Sequence, residues 1–173
     1  LTYSNQLYSY IGETDTKLPN ALAQYFYVDK ATYPNGFNLT DLRIQGQNGQ
    51  NPVIEIYDGS RSISTASLIH KVNYDFWAYN YPITLKEQIH FAPGSSFWVV
   101  AKFPAGAKNP LGTGKTTRTD VAQYSFYSSD NGTTWTQLSE VLKGTSFEAI
   151  ASQLTWAVQA ISKNPDWSQV LNP

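Results

Sequence analysis

The stretch Tyr124-Ser125-Phe126-Tyr127-Ser128-Ser129-Asp130-Asn131-Gly132-Thr133-Thr134-Trp135 decides how this chain is to be read. Tyr124 and Phe126 alternate with Gln123, Ser125 and Tyr127, the period of a half-buried strand. Ser128, Asp130 and Asn131 then crowd a turn, and Gly132 can take the positive φ that a tight reversal demands. A carboxylate two residues before that glycine can accept bonds from the N–H groups that follow it, which fixes the turn. Trp135 is placed to cover the hairpin from one side. The stretch therefore predicts strand, tight turn and the start of a second strand.

Outward from this hairpin the chain reads as short strands separated by turns. Phe97-Trp98-Val99-Val100-Ala101-Lys102-Phe103 is apolar at both parities except at Lys102, the mark of a central strand covered on both faces. Gln24-Tyr25-Phe26-Tyr27-Val28 is a β-rich run closed by the turn signal Tyr33-Pro34-Asn35-Gly36. Leu42 and Ile44 alternate with Arg43 and Gln45. Ile54 and Ile56 share a face opposite Val53, Glu55 and Tyr57, before Asp58-Gly59-Ser60 ends that strand. Ser67 to Val72, Ile83 to Leu85 and Leu154 to Gln159 supply further strands. Pro104 to Gly114, rich in glycine and proline, reads as a loop. Only Leu138 to Lys143 and Ser146 to Ser152 suit a helical turn.

The expectation is an all-β fold: a two-sheet β-sandwich of jelly-roll type with at most one or two short helical turns. No internal repeat is visible, which counts against a propeller. Residues 1–162 are expected to form the sandwich, and residues 163–173 a linker or the start of a following domain.

Composition narrows the function classes. A chain of 173 residues is long enough to bury roughly 70% of its unfolded surface without metals, and with no cysteine it makes no disulfide. Charged residues are 14% and the net charge is −1, with no Lys/Arg block, which argues against a nucleic-acid surface. No long apolar run suggests membrane insertion. Twelve Tyr, 8 Phe and 5 Trp among many Ser, Thr, Asn and Gln describe an extracellular or cell-surface β-protein. The missing methionine at Leu1-Thr2-Tyr3 leads us to expect a preceding segment.

Ser128-x-Asp130-x-Gly132-x-Thr134-Trp135 resembles the Asp-box, a β-hairpin motif of sialidases and other secreted β-proteins. The resemblance implies a structural brace lying away from any chemistry. The order of segments from Leu1 to Ile161 also resembles a non-catalytic jelly-roll domain found downstream of the protease domain in secreted bacterial subtilase-like peptidases. Leu39-Thr40-Asp41-Leu42-Arg43-Ile44, Val53-Ile54-Glu55-Ile56-Tyr57-Asp58-Gly59, Gly94-Ser95-Ser96-Phe97-Trp98-Val99-Val100, the hairpin and Trp156-Ala157-Val158-Gln159-Ala160-Ile161 carry that likeness. Ser139 to Ser152 is longer than the pattern expects. The resemblance implies an accessory module serving adhesion, substrate presentation or stabilisation, with catalysis outside this chain. Its implied partners are neighbouring domains of the same polypeptide and an extracellular protein or glycan.

Several motifs imitate chemistry. Gly112-Thr113-Gly114-Lys115-Thr116 looks like the end of a P-loop, but Asn109 stands where the first glycine is required and no helix is expected to follow. Gly144-Thr145-Ser146 resembles the surroundings of a subtilase nucleophile, yet Phe147-Glu148 replaces the small residues and proline of that family. Serine needs an adjacent base. His90 is expected to face solvent and His70, in phase with Leu68 and Val72, to be a packed core histidine. No catalytic residue is assigned. Arg43, Arg61 and Arg118 match in number the arginine triad of a sialidase, but one Asp-box and 173 residues cannot build the six-bladed propeller that carries it.

The candidate ligand-binding residues are Tyr74, Phe76, Trp77, Tyr79 and Tyr81, five aromatics in eight residues before Pro82. Beside Asp75 and Asn80 they suit stacking on sugar rings or gripping a peptide, so a carbohydrate-binding module using loop 74–82 is the alternative reading. Core packing is the bland account of the same residues. No cofactor is expected. Structural calcium is compatible with Asp58, Asp75 and Asp130 at loop tips, though no EF-hand spacing occurs.

Overall fold

The computed structural model describes residues 7–46, 51–73, 82–106, 108–118, 122–163 and 168–171. Thirteen strands run through it: β1 (Leu7–Ile11), β2 (Asn20–Tyr27), β3 (Phe37–Ile44), β4 (Val53–Asp58), β5 (Ser67–Asn73), β6 (Ile83–Phe91), β7 (Ser96–Phe103), β8 (Leu111–Lys115), β9 (Ser125–Ser128), β10 (Thr136–Gln137), β11 (Leu154–Trp156), β12 (Val158–Lys163) and β13 (Ser168–Leu171). Among the described residues, helix is confined to one α-turn, α1 (Leu138–Val141), and three 3₁₀ segments at Ile63–Thr65, Ala122–Tyr124 and Glu148–Gln153. The protein is all-β, as its alternation predicts.

One layer is a six-stranded antiparallel sheet in the order β10-β9-β2-β7-β4-β5. The other layer is split into a four-stranded sheet, β13-β12-β3-β6, and a three-stranded one, β1-β8-β11. The chain crosses between layers at most connections, and among the described residues only β4–β5, β9–β10 and β12–β13 are hairpins. The second layer therefore differs from the expected single sheet, and the reason lies in three backbones. Gln45 N–H donates to Ala157 O, Ala157 N–H to Gly112 O, and Gly112 N–H to Gln45 O, each at 2.9 Å. Ala157 breaks β11 from β12 at this junction. Gly112 is required there, because a Cβ would stand 2.7 Å from Gln45 O.

Inward-facing residues from both layers make one core. Leu22 and Phe26 of β2, Ile54 and Ile56 of β4, and Phe97, Val99, Ala101 and Phe103 of β7 meet Leu39, Leu42 and Ile44 of β3 and Trp156 of β11. Each such fully buried large side chain contributes roughly 1.5–3 kcal/mol. Phe97 stacks between Phe91 and Phe26, with ring centroids 4.0 and 5.2 Å away. The layers are also joined by polar bonds. Buried Gln24 accepts from Ser125 Oγ at 2.7 Å and from the Trp156 backbone N–H at 3.2 Å, while Trp156 Nε1 donates to Phe126 O at 2.8 Å. With these partners a buried amide satisfies its oxygen inside the sandwich.

Three expectations need correction. Leu111–Lys115 is strand β8, not loop: Gly112 sits where the Gln45 backbone comes close. Ile83 begins a nine-residue strand whose outward residues are mostly exposed, so hydrophobic alternation was a weak signal there. Ser168–Leu171 pairs with Lys163–Ala160 as an edge strand. His70 is only half-buried on the edge strand β5, beside exposed Leu68 and Ile69, so it is not a core histidine. A bulge between Ile56 and Tyr57 puts Leu68 and His70 out of phase.

Candidate functional site

The outer face of the six-stranded sheet gathers a buried carboxylate, two lysines and several aromatic rings. Alternation along β2, β4, β7 and β9 sends Tyr25, Glu55, Tyr57, Trp98, Val100, Lys102 and Phe126 away from the main core. They do not simply meet water. Ala23, Tyr25, Ile63, Trp98 and Val100 form a second buried cluster, with Tyr57, Tyr124, Phe126 and Trp135 half-buried against it. Trp98 meets Tyr25 and Phe126 edge-on at 5.1 and 5.6 Å, and its Nε1 donates to Ser60 O at 2.7 Å. The segment that follows β4 thereby covers the sheet.

Glu55 lies within this outer layer at 3% exposure, where an unpaired carboxylate would be costly. Lys102 Nζ approaches its Oε2 at 2.8 Å, Lys71 Nζ its Oε1 at 3.2 Å, and Tyr57 Oη donates to Oε2 at 2.7 Å. Burial, the largest single influence, pushes the Glu55 pKa up. The hydrogen bonds from Lys102, Tyr57 and Lys71 together outweigh it and hold the group below the ordinary glutamate range. Tyr57 moves the opposite way, raised by burial and by the adjacent carboxylate.

The hairpin closes one side of this layer. Ser128 Oγ donates to Asp130 Oδ1 at 2.6 Å and accepts from Gly132 N–H at 2.8 Å and Asp130 N–H at 3.2 Å. Asp130 Oδ1 accepts from Thr133 N–H and Thr134 N–H at 3.0 and 2.9 Å, and Oδ2 from Thr134 Oγ1 at 2.6 Å. These bonds, first those from Ser128 and Thr134, lower the Asp130 pKa to about 2. Asn131 and Gly132 follow with φ of 60° and 86°. Trp135 then packs on the outer cluster, next to the Lys102 stem: a Cβ built on Gly132 would be 2.9 Å from Lys102 Cε and 3.0 Å from Trp135 Cζ2. Hairpin and charge network thus share Lys102.

A second buried carboxylate pins the four-stranded sheet. Asp41, 1% exposed on β3, accepts from Lys163 Nζ at 2.7 Å and from the hydroxyls of Thr84 and Thr40 at 2.6 Å each. Burial again pushes its pKa up, and the bonds from Lys163, Thr40 and Thr84 bring it below the ordinary value.

The other sequence candidates are dispersed. Tyr74, Phe76, Trp77, Tyr79 and Tyr81 lie outside the described residues, as does Asp75. His90 is exposed and its Nδ1 sits 2.7 Å from Asn38 Oδ1. His70 Nε2 is buried without a hydrogen-bond partner among the described residues. Ser146 is exposed after the turn that ends α1, where Gly144 has φ of 74°. Gly112 to Lys115, the P-loop look-alike, is a strand paired on both edges and presents no cradle of free N–H groups. Arg43, Arg61 and Arg118 stand on β3, after β4 and after β8. Among the described residues no group of three or more His, Asp or Glu is arranged to hold a metal ion, and no helix is long and apolar enough to cross a membrane.

Sequence reasoning missed the Glu55–Lys102–Lys71–Tyr57 network and the Asp41–Lys163 pair. One signal for the first was present: Lys102 is the single charge in an otherwise apolar run, and Glu55 sits between two inward isoleucines. Comparison with protein-family models, with curated proteins and with solved structures finds no match to this chain.

Proposed function

We propose that this chain is a non-catalytic accessory module of a secreted or cell-surface bacterial peptidase, serving adhesion, substrate presentation or stabilisation beside a catalytic domain. The observation behind this reading is the commitment of its carboxylates. Glu55, Asp41 and Asp130 are each held ionised by several donors that also tie strands or a turn together. A general acid at neutral pH needs the opposite, a carboxyl pushed up toward neutrality. The peptidase context rests on the order of segments and on the composition. Incubation of the isolated chain with casein and with peptide libraries is expected to give no hydrolysis. Hydrolysis that disappears in Ser146→Ala or His70→Ala would overturn the reading.

A glycan ligand is the second reading. It is favoured by the half-buried rings of Tyr57, Phe126 and Trp135 on the outer face, in addition to the aromatic run of residues 74–82. Glycan-array binding together with a tryptophan-fluorescence titration tests it. Binding lost in Trp77→Ala or Tyr79→Ala assigns the ligand to the loop, and binding lost only in Trp135→Ala assigns it to the sheet.

A further inference from the structure

Asn131–Gly132 is the sequence most prone to succinimide formation, because glycine offers no side chain to hinder attack by its backbone nitrogen. The pair sits on an exposed hairpin tip, where such chemistry is ordinarily fast. Two features oppose it here. The Gly132 N–H is held by Ser128 Oγ at 2.8 Å, which keeps the proton on the nitrogen that would have to attack. The flanking backbone is fixed by the three bonds that Asp130 accepts from Thr133 and Thr134, while Asn131 and Gly132 hold consecutive positive φ angles. Rotation of the Gly132 nitrogen toward the Asn131 side chain would break these contacts.

We infer that Ser128 guards Asn131 as a latent deamidation site, so that the brace of the hairpin is also a chemical shield. The reaction it restrains is hydrolytic. Hydroxide removes the Gly132 amide proton, the nitrogen bonds to Asn131 Cγ, and the Cγ–Nδ2 bond breaks with loss of ammonia. Water then opens the five-membered ring to aspartate or isoaspartate, so the sum is one water consumed and one ammonia released. The isoaspartate product adds a methylene to the main chain and a second carboxylate beside Asp130. Both changes are incompatible with the turn as it stands. This inference is independent of the accessory role.

Asn35–Gly36 provides an internal clock: Asn35 is exposed, and the Gly36 N–H donates to the Tyr33 carbonyl at 3.0 Å, a bond that Ser128 variants leave untouched. The folded chain is incubated at mildly alkaline pH and mapped by peptide mass spectrometry. Ser128→Ala is expected to speed deamidation of Asn131 about two- to tenfold relative to Asn35, the factor that one ordinary hydrogen bond is worth. Ser128→Thr, which keeps the hydroxyl, is expected to retain the wild-type ratio. In urea the wild-type Asn131 should accelerate to the rate of Asn35, and this comparison stands even if Ser128→Ala does not fold. An unchanged Asn131 to Asn35 ratio in folded Ser128→Ala, or equal Asn131 rates in folded and urea-treated wild type, would overturn the inference.

Discussion

The two faces of the six-stranded sheet are made from the same strands and solve different problems. The inner face is built from Leu22, Phe26, Ile54, Ile56, Phe97 and Val99, and it is held by apolar burial. The outer face alternates aromatic rings with Glu55 and Lys102, and it is held by packing and by charge-assisted bonds. The inner face needs shape. The outer face needs partners, because its carboxylate is buried almost as deeply as the core. What the contrast teaches is that the buried charges of this sheet act as joints between elements: Glu55 ties β4 to β5 and β7.

The contrast can be broken most forcefully from inside. Phe97→Ala removes the ring between Phe91 and Phe26 and is expected to cost about 3–5 kcal/mol in urea unfolding. On the outer face, Lys102→Met keeps most of the stem packing but takes away the shortest ammonium contact to Glu55. Lys71 and Tyr57 remain, so the expected loss is smaller, about 1.5–3 kcal/mol by the same measurement. A loss equal to that of Phe97→Ala would mean the two faces are not distinct in kind.

Acid sharpens the distinction further. The folded Glu55 carboxyl is more acidic than its unfolded counterpart, so its contribution is complete above the unfolded value of about 4.3. That contribution is lost as pH falls through the folded value. Glu55→Gln is therefore expected to be less stable than wild type at neutral pH, with the difference shrinking on acidification. Phe97→Ala should show a difference that hardly depends on Glu55 titration. Chemical denaturation across the acid range checks both.

Smaller effects belong to the hairpin. Gly132→Ala forces a side chain into φ of 86° and is expected to cost about 1–2 kcal/mol, since Lys102 can move its flexible end aside. Asp130→Ala should leave the sandwich folded while speeding amide exchange most at Thr134, whose N–H loses its carboxylate acceptor, and less at Thr133, which keeps a 3.4 Å contact to the Asp130 carbonyl. The Asp130 brace is lost only as pH falls from its unfolded range toward about 2.

Much of this architecture was legible because the chain states it locally. The β7 run Phe97 to Phe103 is apolar at both parities since both of its faces are covered, and β4 shows Ile54 and Ile56 in phase. The hairpin was legible because Ser128, Asp130 and Gly132 act on one another within a few residues. Strand β8 was not, because Gly112 serves a backbone approach from Gln45 that has no local signature. The divided second layer was hidden for the same reason. The Glu55 network joins three strands, β4, β5 and β7, and only pairing register brings Lys71 and Lys102 to one carboxylate.

The most direct test of that structural role for the buried charges is the pKa of Glu55, read by carbon-13 NMR titration of its side-chain carboxyl in the folded chain. A value below the ordinary glutamate range, returning toward that range in Lys102→Met, is the predicted result. A value raised toward neutrality would contradict it and would mark Glu55 as a group poised to exchange a proton.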